Sequence, residues 1–365
     1  MRHFMLNKAE QDRRSSGSMP RLGNLAEPVA HVRPPSLIVR CAFIVSVALG
    51  LLTAPCVAAA QAPQKVFRVG HLAAGARTPD GAPPGPLREA LRELGYVEGQ
   101  NVAYEARFAE GNMERLPGLA AELVQLKVDV IVAQGGPAAE AAKQATSTIP
   151  IVIAPAAGDA VALGWIASLP RPGGNVTGLT DELVQLSAKR MQLLKEAVPK
   201  AALIAVLWNP NDQGMTLRYH GIEKAARFLH VEVQAFGVRE PDDFAGAFSA
   251  MTRRRPDALF LVADPMTFMN RKRVIEFAAT NRIPAMYELD FFVRDGGLMS
   301  YGPSYADSFR RAAFYIDRIF KGAKPADLPA EQPMRYYLTV NLKTAAALGL
   351  TLPPSLMIRT DEVVQ

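Results

Sequence analysis

From Val66 onward the chain alternates between short runs rich in β-branched and apolar residues and stripes at helical spacing, and this alternation is its tightest constraint on fold. Val66 to Leu72 predicts a strand. Leu87, Ala90, Leu91 and Leu94 then form a helical stripe that stops at Gly95. Asn101 to Phe108 predicts a second strand, and Leu116, Leu119, Ala120, Leu123 and Val124 a second helix. Val128 to Ala133 is almost continuously apolar, the composition of a strand covered on both faces in a parallel sheet. Gln134-Gly135-Gly136 turns the chain into a helix with Pro137 at its first position, and Ile149 to Ala154 predicts a fourth strand. Strand, short turn and helix in repetition define a doubly wound α/β layer with right-handed crossovers.

The count restarts after Pro170-Arg171-Pro172-Gly173-Gly174, where Asn175 to Leu179 predicts a strand leaving the first layer. Leu183 to Ala197 is helical and Ala202 to Trp208 is a buried strand; Gly221, Ala225 and Phe228 mark another helix. Val231 to Phe236, Ala258 to Val262 and Ile283 to Tyr287 add strands, with helices around Phe244 to Arg254 and Arg271 to Asn281. A late stretch, Leu298 to Tyr301, predicts a short buried strand between glycines and Pro303. Behind it Phe309, Ala312, Ala313, Ile316, Ile319 and Phe320 form an apolar stripe ending at Gly322. This strand and helix are expected to return to the first layer, and Pro325 to Pro333 to lead Tyr336 to Val340 back to the second. The predicted architecture is two doubly wound parallel-sheet lobes joined by a three-crossing hinge. Lobe one comprises 61–179 and 298–328, lobe two 180–297 and 329–365.

The 365 residues suffice for two cores, and 49% hydrophobic with 21% charged residues is ordinary for a globular chain. The formal charge of +6 argues little for nucleic acid, because residues 1–60 hold seven Lys or Arg against three Asp or Glu, leaving 34 against 32 for the folded part. Cys41 to Leu52 is an apolar run of twelve behind Arg33 and Arg40, followed by Ala58-Ala59-Ala60. That pattern predicts an export signal over about 33–60, cut after Ala60, which would release a soluble periplasmic protein. Both cysteines, Cys41 and Cys56, lie in the part to be removed, so cysteine chemistry is not expected of the mature chain.

Ligand sites of open parallel sheets lie beyond the carboxyl ends of the strands. The rule selects His71 to Arg77, with Leu72 and Ala73 among them, Gln134-Gly135-Gly136 with Pro137, and Ala154 to Asp159 in the first lobe, and Trp208-Asn209-Pro210-Asn211-Asp212, Asp264-Pro265 and Tyr287-Glu288 in the second; Thr180 and Ser300-Tyr301 lie near the crossings. The glycines before a helix offer bare backbone N–H groups at the positive end of its dipole, suited to an acid group, or simply make a tight turn. Asp159 and Asp264 can grip an ammonium or hydroxyls, or serve as helix caps. Trp208, Tyr287 and Tyr301 can wall an apolar ligand part, or pack in the core. His71, His220 and His230 are far apart with no i, i+4 partner, so no metal is expected, and the absence of G-x-S-x-G, a cysteine nucleophile or a P-loop leaves no cofactor and no enzymatic chemistry to predict.

Several runs then carry a family resemblance: Leu94 to Val102 (LGYVEGQNV), Ala109-Glu110-Gly111 with Arg115-Leu116-Pro117, Pro170 to Gly178 (PRPGGNVTG), Gly297 to Pro303 (GLMSYGP) and Asn341 to Ala345 (NLKTA). Together they resemble the ABC-transporter substrate-binding proteins of the TrpX type over about Val66 to Val364. The resemblance implies a type 1 periplasmic binding fold that closes on a small solute, such as an amino acid or aromatic compound, and passes it to a membrane permease with its ATPase; a monomer is the simplest state for a clamp that must present both lobes. Gly136 stands where a hydroxyl residue is common and Ala160 where proline is common; a missing hydroxyl removes one contact to an acid group. A sensor module using the same clamp for a signalling receptor, and an exported α/β enzyme, are the rival classes.

Overall fold

The computed structural model describes residues 65–154, 158–180 and 183–365. The expected export segment and its cut after Ala60 lie outside the described residues. Among those residues, no helix is long and apolar enough to cross a membrane.

The first sheet contains β1 (Phe67–Ala73), β2 (Val102–Phe108), β3 (Val130–Gln134), β4 (Ile151–Ile153) and β5 (Val176–Gly178), in the order β2-β1-β3-β4-β5 with every pair parallel. Its helices are α1 (Gly85–Glu93), α2 (Leu116–Gln125) and α3 (Gly136–Ala145). The pleat splits the apolar run of β3 between two cores. Ile131 and Ala133 face α2 and α3 with Leu119, Leu123 and Ala138, whereas Val130 and Val132 face the other side with Leu87 and Leu91 of α1. Both faces are covered, as the continuous hydrophobicity of this strand requires.

The second sheet contains β6 (Leu203–Trp208), β7 (Glu232–Gly237), β8 (Ala258–Leu261), β9 (Ala285–Tyr287), β10 (Met299–Pro303), β11 (Tyr336–Asn341) and β12 (Glu362–Val364), in the order β12-β11-β10-β9-β8-β6-β7. All its pairs are parallel except β10 with β11. Around it stand α4 (Leu183–Ala197), α5 (Gln213–Phe228), α6 (Asp243–Arg253), α7 (Pro265–Met269), α8 (Arg271–Thr280) and α9 (Asp290–Arg294). Near the end of the chain come α10 (Tyr305–Phe320), α11 (Leu342–Ala347) and α12 (Pro354–Ile358). Met191, Leu194 and Ile222 cover one face of this sheet, and Phe244, Met251 and Val274 the other.

One expectation is corrected here. β10, expected to return to the first lobe, pairs with β9 and β11 in the second sheet, and Leu298 and Met299 are buried in that lobe's core. Only α10 returns, placing Phe309, Ala312 and Ile316 against the α1 face of the first sheet. A short buried strand looks alike in either layer, so its local sequence does not name its sheet. The connection from β9 through α9 decides it, because it is long enough for a parallel neighbour but makes no crossing.

The chain thus passes between the sheets after β5, after Pro303 and before β11. The first and third passages are bonded to each other: Thr180 N donates to Glu331 O, and Glu331 N to Gly178 O, both at 2.9 Å. Gly178 has φ +120°, and a β-carbon there would lie 2.5 Å from the Ile153 carbonyl oxygen. Glu331 accepts from Arg311 of α10 at 2.7 Å, tying the hinge to the first lobe.

Candidate ligand-binding cleft

The carboxyl ends of the two sheets face one another. The Cα of Gly135 closes on Pro265, whose ring would lie 3.9 Å from a β-carbon added at that glycine. A β-carbon at Gly111 would come within 2.8 Å of Met269 Sδ. A third contact is the edge-to-face pair of Phe291, on α9, with Tyr305, on α10, at 5.3 Å. Beside these contacts a cleft of about 660 Å³ is lined from the first lobe by Glu110 to Glu114 and Pro137, and from the second by Asn209, Asn211, Asp212, Arg239, Glu240, Asp264, Met266, Met269 and Asn270.

Asn209, Asp212 and Asp264 form one polar wall. Asp264 caps α7 through a capping box: its Oδ1 accepts from Thr267 N at 2.7 Å while Thr267 Oγ1 accepts from Asp264 N at 2.8 Å. Its Oδ2 accepts from Asn209 Nδ2 at 2.7 Å, and Asn209 Oδ1 accepts from Asn211 N. Asp212 caps α5, its Oδ1 accepting from Gly214 N at 2.8 Å and Met215 N at 3.3 Å. Its Oδ2 is screened from solvent and has no hydrogen-bond partner. Burial and then the nearby charge of Asp264 raise the Asp212 carboxyl above the usual range.

Gln134 is held at the mouth of the junction from both sides. Its Nε2 donates to the Tyr305 hydroxyl at 2.7 Å, which leaves Oε1 to accept from His71 Nε2 at 3.1 Å. His71 therefore carries a proton on Nε2, and Nδ1 lies buried without a partner near the rings of Phe108 and Phe309. Burial lowers its pKa from 6.5 to about 4, against a smaller raising effect of Gln134. Because the folded pKa lies below the unfolded one, the unfolded state takes up the proton first, and stability falls as pH drops from 6.5 towards 4. The full loss is about 3 kcal/mol. Urea midpoints measured across that range should show this acid slope in the parent and a flatter one in His71→Gln; equal slopes would remove His71 as its source.

The other predicted residues have different surroundings. Leu72 and Ala73 are buried in the first lobe. Asp159 Oδ1 accepts from the backbone N–H groups of Val161 and Ala162, both at 3.0 Å, making a turn. Thr180 Oγ1 accepts from Ala160 N and donates to Gly158 O, so it braces the loop beyond β4, of which residues 155–157 are not described. Trp208 stacks on Tyr219 at 4.5 Å, against the second lobe's core. Tyr287 lies in that lobe's other core, 1% exposed and stacked on Phe292, so its ring does not wall the cleft. Glu288 is sequestered between Arg190 and Arg218, each 2.7 Å away. Burial pushes its carboxyl up, but the two guanidinium charges with the Ala263 N–H outweigh it and hold the group below its usual range. Tyr301 packs its ring towards Tyr336 at 6.0 Å.

Phe291 and Tyr305 were not among the predicted site residues, and Asp212 was reached only as the end of the Trp208 to Asp212 loop, without a role of its own. An aspartate before a helix has the pattern of an ordinary cap, which Asp212 also is. Tyr305 sits in the first turn of a helix whose sequence signal is its apolar stripe. Among the described residues no group of three or more His, Cys, Asp or Glu is placed to hold a metal ion.

Two α/β lobes, three passages between them and a cleft at the carboxyl ends of both sheets make up the type 1 periplasmic binding fold. The chain belongs to the ABC transporter substrate binding protein family, whose pattern matches residues 84–364. It is 28% identical over 262 residues to a tyrosine-binding protein of Clostridioides difficile (strain R20291), covering 72% of this chain and 75% of that one. An ABC domain from Streptococcus pneumonia in complex with L-Trp has a TM-score of 0.75 at 24% identity, over 82% of this chain and 100% of that one. A ligand-free, open substrate-binding protein with adhesive properties from Clostridium difficile has a TM-score of 0.61 at 25% identity, with the same coverage.

Proposed function

We propose that this protein is the solute-capturing component of an ABC importer, exported to the periplasm, that closes its lobes on a small solute and presents the closed form to a membrane permease and its ATPase. The observation that carries the reading is the cleft of about 660 Å³ built jointly by the two lobes, which meet at Gly135–Pro265 and Gly111–Met269. A site shared in this way binds better when the lobes are together, so ligand shifts the population towards closure. Asn209 and Asp264 are the predicted residues proposed to contact solute, with Gln134 to Gly136 at the junction. Asp159, Thr180 and Trp208 would act by holding loops in place. Amino acids and aromatic amino-acid-like compounds are the first class to test, given the tyrosine-binding relative and the L-Trp complex of similar fold.

A thermal-shift screen of the protein against amino acids, amines, sugars, nucleosides and aromatic acids tests the reading. Ligand at about a hundred times its dissociation constant adds about 2.7 kcal/mol, a shift of a few degrees for a chain of this size. No shift across the panel would remove small-solute capture from consideration.

A further inference from the structure

We infer that the cleft selects its solute by positive charge, taking an organic amine of net positive charge in preference to a zwitterion or an anion. The inference rests on the solute-capture reading and names the class of solute for the same site. The lining carries the carboxylates of Glu110, Glu114, Asp212, Glu240 and Asp264 against one guanidinium, that of Arg239. The outer three are exposed and screened by salt, so their part is to steer cations inward. The inner two decide the affinity.

Asp264 is 5% exposed and Asp212 stands close enough to feel its charge; Asn209 and Thr267 supply hydrogen bonds to Asp264, and Arg218 offsets part of the repulsion felt by Asp212. One oxygen of Asp212 has no donor at all. Two like charges held on one wall of the cleft repel each other, and a cation bound beside them offsets that repulsion. An acid group on the solute finds little in return. Among the described lining residues there is no Ser, Thr or Tyr hydroxyl; Arg239 and the side-chain amides of Asn112, Asn211 and Asn270 remain, and Pro137, in the first turn of α3, removes one of the N–H groups that a helix start would otherwise offer. Met113, Met266 and Met269 provide the apolar and polarisable surface for the stem of such an amine.

The experiment is titration calorimetry of the full chain with matched pairs that differ by one carboxylate: tyramine and L-tyrosine, tryptamine and L-tryptophan, cadaverine and L-lysine. The amine is expected to bind at least about 10-fold more tightly in whichever pair binds, and added salt should weaken it. Asp212→Asn keeps the cap oxygen, since Asn and Asp cap equally well, and should weaken the amine by about 10-fold or more while melting no lower than the parent in the absence of ligand. Asp264→Asn should act in the same direction. Tighter binding of the amino acid in a pair, or amine binding untouched by Asp212→Asn, overturns selection by charge and leaves solute capture intact. A neutral solute that binds where every amine fails does the same. Failure of the whole thermal panel defeats the capture reading itself.

Discussion

Glu288→Ala is expected to destabilise the protein by about 3–5 kcal/mol, because it takes the carboxylate from between two buried guanidinium groups. Glu288 is 2% exposed; its Oε1 accepts from Arg190 and its Oε2 from Arg218, both at 2.7 Å, and Oε2 also accepts from Ala263 N at 3.0 Å. Arg190 further donates to the Tyr301 carbonyl at 2.6 Å, so one acid joins the ends of β8, β9 and β10 to α4 and α5. A surface ion pair of the same geometry is worth under about 1 kcal/mol, and the difference lies in desolvation. The carboxyl's folded pKa is lowered, so its stabilising effect is present above the unfolded carboxylate range and is lost as pH falls through the folded value. Urea denaturation at neutral pH should show the lowered midpoint, and an acid titration of the variant should lack this share of the parent's slope. A loss under about 1 kcal/mol would mean that the triad is not a unit.

Gly302→Ala should rank with it, at about 3 kcal/mol or more. A β-carbon on Gly302 would overlap the carbonyl oxygen of Glu288 on the neighbouring strand, and this obstacle is backbone, not the flexible end of a side chain. Either β10 or the end of β9 would have to move. The first shift displaces the Tyr301 carbonyl from Arg190 and the second displaces Glu288 from both arginines, so the substitution disturbs the same triad from its other side. Gly302 also stands just before the second passage between the lobes, and the variant's ligand affinity should change along with its stability. A denaturation midpoint equivalent to a loss within about 0.5 kcal/mol of the parent would show that the strands separate freely here.

Much of this fold is legible in the amino-acid order, and the failures have physical causes. The apolar run at Val128 to Ala133 could only be a strand covered on both faces, and Val130 and Ile131 do face opposite cores. The stripe from Phe309 to Phe320 marked a one-sided helix, and it does cover the first sheet. Leu298 to Tyr301 also forms a strand, but in the other sheet, since burial alone does not distinguish two similar layers. The candidate site was legible only as a set of loops. Tyr287, Glu288 and Trp208 follow the strand-end rule in position, yet their side chains engage Phe292, the two arginines and Tyr219.

The sequence by itself determined the alternation of strands and helices, the two-layer count and the membership in a substrate-binding family, because periodicity and turn chemistry act over neighbouring residues. Tertiary structure alone decided which sheet holds β10, which strand-end side chains face the cleft, and that Asp212 and Asp264 stand together across 52 residues of chain. Those outcomes depend on pairings between distant segments, whose closure is governed by the packing of whole lobes and not by local preference.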